Sequence, residues 1–232
     1  MAAQLSSNNQ VLHVSNFQDL IGTPFLGEVN AIGWTRELVG NFEEIANKIE
    51  LTENLVVIEE ATLLEMQLSE QGILAREIIL NDLQVLKAQG AAPTLNLINN
   101  YERDDEHPGF PTDVYSYHVD RAPIPTYTLL CTYYGAASEL IPNTQAIQKI
   151  LIPEIRQELR KIYQGNEAGF EAFLTENFYD LHYQVLHDTQ PINFGIGNMW
   201  RLAVDHPESP VLPCVHRAPM EKPGEPRLLL IC

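Results

Sequence analysis

A chain of 232 residues with 45% hydrophobic and 19% charged residues can fill one hydrophobic core, which excludes global disorder and predicts a single domain over 1–232. Its 14 basic and 31 acidic side chains leave a net charge of −17, and the basic residues are scattered, which argues against nucleic acid or an anionic membrane surface as partner. Cys131, Cys214 and Cys232 form no CxxC pair and leave an odd count; with a polar Met1–Gln10 and no apolar run of membrane length, a cytoplasmic protein with buried, unpaired cysteines is expected.

Residues 1–30 read as an irregular lead-in rich in Ser, Asn and Gly. A short strand over Ala31–Arg36 precedes an amphipathic helix beginning after Asn41, whose side chain is placed to cap it, and Leu55–Ile58 is β-like. From Ala61 to Gln89 apolar residues recur at helical spacing, which predicts one or two helices broken near Gln71-Gly72. This makes residues 1–90 a helical N-terminal cap. Strands dominate from Thr94 onward: Thr94–Asn99, Val114–Asp120 and Thr126–Tyr133, then Tyr183–Leu186, Ile192–Ile196, Trp200–Val204, Val211–Val215 and Arg227–Ile231. A helical insertion at about 144–175 interrupts them, with Pro153 expected to kink or divide its longer helix. Residues 91–232 therefore read as an antiparallel barrel or jelly-roll core, and the fold class as α+β.

The chemistry is carried by His118-x-Asp120. Residues two apart on a strand share a face, so this pair is able to bind one ion together. His216 supplies a third ligand, and Arg227 follows it across the Pro/Gly-rich Pro219–Pro226 turn, which would let the flanking strands run antiparallel and bring the arginine back beside the histidine. The order His-x-Asp, His, Arg is the layout of a two-histidine, one-carboxylate metal site with an arginine for an acidic co-substrate. Structural alternatives exist for each residue: a buried histidine satisfied by a carbonyl for His216, and an edge-strand salt bridge for Arg227. A second pair, His206-Pro207-Glu208, sits among prolines and reads as a solvated turn. His182 and His187, five apart, have poor spacing for a shared metal. Thr126, Thr128 and Thr132 share one strand parity and would line a barrel interior, whereas Asp104-Asp105-Glu106-His107 is an acidic loop placed to act as a lid that favours a cationic substrate.

These motifs resemble the iron(II)- and 2-oxoglutarate-dependent oxygenase superfamily. The wider stretches Ala31–Arg36, Gly90–Leu97 and Val215–Pro219 are similar to an uncharacterised bacterial family known only as a domain of unknown function. The resemblance implies a double-stranded β-helix with N-terminal helices, iron(II) held by His118, Asp120 and His216, and the distal carboxylate of 2-oxoglutarate on Arg227. It implies O2 and a small molecule as the other reactants, and hydroxylation rather than halogenation because Asp120 is intact. The chain departs from the superfamily at Leu229, where many members carry Ser or Thr. The alternatives are a cupin holding zinc, nickel or manganese without 2-oxoglutarate, and a non-catalytic jelly-roll binding protein.

Overall fold

The computed structural model describes residues 4–5, 9–104, 107, 109–186, 188–220, 222 and 224–232. Its strands are β1 (Gln4–Leu5), β2 (Val11–Val14), β3 (Ala31–Trp34), β4 (Leu55–Ile58), β5 (Thr94–Ile98), β6 (Tyr127–Tyr134), β7 (Glu139–Leu140), β8 (Ala146–Gln148), β9 (Tyr183–Val185), β10 (Ile192–Asn193), β11 (Met199–Ala203), β12 (His216–Arg217) and β13 (Arg227–Ile231). The main sheet runs β1-β2-β3-β11-β6-β13-β5-β4, and every neighbouring pair is antiparallel except β2 with β3. A smaller sheet runs β10-β7-β12, and β8 pairs with β9. His118 joins these two smaller sheets, forming single bridges to His216 on one side and to His182 on the other.

The period-two pattern gives the main sheet two different faces. Leu95, Leu97, Leu129, Cys131, Tyr133, Met199, Leu228 and Leu230 form the outer face and are covered by helices α1 (Phe17–Gly22), α2 (Phe42–Lys48), α3 (Glu60–Glu65) and α4 (Glu70–Ala88). Leu20, Ile45, Leu63, Ile79 and Leu86 from those helices are fully buried against it. The inner face, with Ile98, Leu130, Trp200, Leu202 and Leu229, packs on Leu140, Phe194 and Cys214 of the smaller sheet and its flanking segments. Two layers of antiparallel strands thus enclose the interior of a mixed α+β fold. Two further helices, α5 (Pro153–Ile162) and α6 (Phe170–Glu176), form a satellite cluster through Leu159, Phe170 and Leu174. No helix among the described residues is long and apolar enough to cross a membrane.

Several elements differ from the sequence expectation for identifiable reasons. The first ninety residues are not a helical cap alone, because β2, β3 and β4 enter the main sheet. The 144–175 segment likewise contains β8 as well as helices. The break before α4 falls at Met66–Ser69, where the Ser69 hydroxyl caps the amide of Gly72. Gly72 stays helical, and a Cβ there would crowd the Glu44 carboxylate. Pro153 does not kink a helix but opens α5 at its first turn, where its missing N–H costs nothing. Val114–Asp120 is not a full strand either: the Asp113 side chain captures the amides of Tyr115 and Ser116 in a turn, and only His118 enters the ladder. Val211–Val215 gives way to the two-residue β12, since Pro213 has no N–H to donate.

A bulge on β6 sets the inner face. Leu228 opposes Tyr134 but Leu229 opposes Thr132, so Tyr133 is the extra residue. Its ring stacks on Phe42, and its hydroxyl donates to Asp82 of α4 at 2.6 Å. Asp82 also takes both guanidinium nitrogens of Arg36, at 2.8 and 2.7 Å, in a pair whose side chains are only 8% and 2% exposed. Removing one partner strands a buried charge. Asp82→Ala is therefore expected to lower unfolding free energy by about 3–5 kcal/mol in urea titrations followed by circular dichroism; a loss below about 1 kcal/mol, the worth of an exposed pair, would show that the pair does not anchor the bulge.

Candidate metal centre

His118 and His216 are an antiparallel pair that exchange both backbone bonds: each amide donates to the other's carbonyl at 2.9 Å. Directly opposed residues project to the same face, and the two imidazole centroids lie 4.7 Å apart. Asp120, two residues beyond His118, brings its carboxylate oxygens to 3.9 Å from His118 Nε2 and 3.7 Å from His216 Nε2. One donor atom from each of the three side chains lies within 4.8 Å of the others. The sequence reading had brought these three residues together, and the structure does so as well.

Both rings are oriented for ligation through Nε2. His118 Nδ1 donates to the Ser116 carbonyl at 2.8 Å and His216 Nδ1 to the Cys214 carbonyl at 3.1 Å, so each Nε2 is left as the lone-pair nitrogen. Asp120 is oriented by the Thr128 hydroxyl, which donates to its Oδ2. Burial, and then the neighbouring His216, lower His118 to about 4, which keeps it a neutral ligand at pH 7. Burial alone would raise Asp120, but His216, the Thr128 bond and His118 outweigh it and hold the carboxyl below its usual range. Two imidazoles that present Nε2 and one carboxylate form a donor set suited to a divalent first-row metal, and the residues present fit iron(II).

The three ligands open onto a cavity of about 290 Å³ whose walls include Leu55, Asn96, Leu130, Leu229, Ile231 and, also lining it, Arg227. Arg227 is 6% exposed and central in the sheet, between β5 and β6, which overturns the edge-strand alternative. The route by which it arrives also differs from the expected hairpin: β12 and β13 lie in opposite layers and face each other across the cavity. Thr132 Oγ1 accepts from Arg227 Nε and Nη2 at 3.2 and 2.9 Å, and Ser138 Oγ accepts from Nη2 at 2.8 Å. Burial lowers the Arg227 pKa, opposed chiefly by Tyr101. No carboxylate pairs with this guanidinium among the described residues.

Sequence reasoning left some neighbours unassigned. Of Thr126, Thr128 and Thr132, expected to line the interior by parity, the last two do so, with partners Asp120 and Arg227 from other elements, whereas Thr126 lies before β6 and is exposed. Ser138 gave no signal. His182, set aside for its spacing from His187, packs beside His118 with ring centroids 5.8 Å apart. Burial, then His118 and Lys149, push it down to about 3, and its Nδ1 is buried without a bond among the described residues. His187 lies outside the described residues, as do Asp105 and Glu106 of the acidic loop. In that loop, the Asp104 carboxylate accepts from the Thr112 amide and hydroxyl at 2.8 and 2.9 Å. His206 sits in a turn, its Nδ1 accepting the Glu208 amide.

Compared with known proteins, the chain matches no protein-family model, no curated sequence and no solved structure. Calorimetric titration with iron(II) under nitrogen should give one bound ion per chain, abolished in His118→Ala, while Thr128→Val should weaken it by about 10–100-fold by freeing the carboxylate; wild-type affinity in His118→Ala would remove the imidazole from the site.

Proposed function

We propose that the protein is an iron(II)- and 2-oxoglutarate-dependent oxygenase, built on a double-stranded β-helix, that hydroxylates a small molecule. One observation carries the reading: a His-Asp-His triad and a buried arginine with no carboxylate partner among the described residues line the same cavity. A guanidinium left this way calls for an anion, and its planar fork matches a carboxylate in two bonds. The facing antiparallel layers, with ligands contributed by the smaller one, support the fold assignment.

The residues divide the work as follows. His118, Asp120 and His216 would hold the metal, with Ser116, Cys214 and Thr128 fixing their orientation. Bound there, iron(II) would supply the redox chemistry by which O2 oxidises the substrate together with the keto acid, with CO2 and succinate as the by-products. Arg227, braced by Thr132 and Ser138, would fix the far carboxylate of 2-oxoglutarate. Those hydroxyls, from β6 and the segment before β7, stand beside the guanidinium although position 229 carries leucine. Leu130, Leu229 and Ile231 keep the cavity walls apolar, which limits water near the reacting groups. Retention of Asp120 favours hydroxylation over halogenation, since a halide would need that ligand's place.

Iron(II) added under nitrogen should bind, and 2-oxoglutarate should then raise a weak visible charge-transfer band. Arg227→Ala is expected to keep the iron and to weaken 2-oxoglutarate by at least about tenfold, the loss of a charge-assisted bond. Iron binding with no band would favour the cupin alternative, and no iron binding would favour the non-catalytic one.

A further inference from the structure

The cavity wall contains a polar group that neither the metal nor the arginine explains. Asn96 lies mid-strand in Thr94-Leu95-Asn96-Leu97-Ile98, where an amide is a poor strand former, and it is 6% exposed. Its orientation is fixed by its neighbour. The Thr94 hydroxyl donates to the Ile231 carbonyl at 3.3 Å, so its lone pairs must receive a donor, and Asn96 Nδ2 supplies it at 3.1 Å. The amide oxygen is thereby turned the other way. It accepts no hydrogen bond among the described residues, although the side chain lines the cavity. An acceptor that faces the cavity without a protein donor among the described residues offers its hydrogen bond to whatever enters, and a ligand that covers it without donating would strand it.

The approach to the cavity has a matching charge. A wider outer pocket of about 620 Å³ shares Leu55, Tyr101 and Val114 with the inner one, and Glu53, Glu102 and Asp113 also line it. Glu53 and Glu102 are exposed, and among the described residues no lysine or arginine lines the outer pocket, although Lys149 lies near enough to Asp113 to interact with it. The nearest arginine in the chain, Arg103, stacks on the Tyr115 ring with its guanidinium carbon 4.1 Å from the centroid. Inside, Arg227 is the one lysine or arginine among the described residues of the wall, and it is braced by Thr132 and Ser138. Beside Thr94 and Tyr101, much of the remaining inner wall is aliphatic, with Leu55, Val114, Leu130, Ala218, Leu229 and Ile231. Low-dielectric walls behind an acidic mouth raise the local concentration of cations.

We infer that the substrate is a small aliphatic ammonium compound whose N–H donates to Asn96 Oδ1 while its hydrocarbon part lies toward the triad. The inference rests on the oxygenase reading for what becomes of the compound; its binding is measurable without turnover. With Arg227 given to 2-oxoglutarate, a second acid would find no cation in the cavity, and a purely apolar substrate would cover the amide oxygen without bonding it.

The test is calorimetry on iron(II)-loaded protein under nitrogen with 2-oxoglutarate present, using n-pentylammonium, 1-pentanol and pentanoate as probes. The ammonium should bind at least about tenfold tighter than the alcohol, and pentanoate weakest. Asn96→Leu should weaken the ammonium by about tenfold, and Glu53→Gln/Glu102→Gln, at exposed positions that do not load the core, should weaken it and flatten its salt dependence. Alcohol or carboxylate binding as tightly as the ammonium, or unchanged ammonium affinity in folded Asn96→Leu, would overturn the inference. Absence of the 2-oxoglutarate band with the ammonium preference intact would instead count against the oxygenase reading and leave the cation-selective cavity standing.

Discussion

Two backbone hydrogen bonds between His118 and His216 hold the centre of this protein together. They join segments far apart in sequence into an antiparallel pair, and that pairing alone commits both imidazoles to one face. Asp120 then needs only the strand-like spacing of two residues to complete the triad. The pairing is short: β12 has two residues, and the His118 partner is a single bridge. Its geometry is consequently maintained by what surrounds it. Beyond Asp120, Arg121 bonds to both Asp180 and Asp205, and the Asp205 amide donates to the Asp120 carbonyl at 2.8 Å.

The main sheet serves stability and chemistry with alternate residues of the same strands. On β6, Leu129, Cys131 and Tyr133 pack beneath the helices, while Thr128, Leu130 and Thr132 face the cavity. On β13, Leu228 and Leu230 are outward and Arg227, Leu229 and Ile231 inward. The Tyr133 bulge therefore has a double role. Held from outside by Asp82 and Phe42, it fixes the register at which Thr132 meets Arg227 on the inside. A slip of one residue would exchange the two faces and destroy core and site together.

Much of this was legible from residue types and spacing. Asn41 does cap α2, Leu55–Ile58 and Arg227–Ile231 are strands with the expected ends, and the four residues singled out for chemistry converge on one cavity. The reasons for convergence were less legible. Val114–Asp120 alternates like a strand, but an aspartate side chain competing for local amides turned it into a turn with one ladder residue. The Pro219–Pro226 turn was read as a hairpin, whereas it carries the chain from one layer to the other. Ser138 and Asn96 were invisible because their roles depend on which strands become neighbours, and a single sequence does not state that pairing. Pro153 and Gly72 were read as breakers from identity alone, although one opens a helix and the other makes room for Glu44.

The claim on which the account turns is that His118, Asp120 and His216 ligate one metal ion through Nε2, carboxylate and Nε2. X-ray absorption at the iron edge of anaerobically loaded protein measures this directly, because imidazole rings add outer-shell scattering that water and carboxylate do not. The account predicts a first shell of light nitrogen and oxygen donors with the outer-shell signature of two imidazoles. A shell of oxygen donors without imidazole scattering would contradict it.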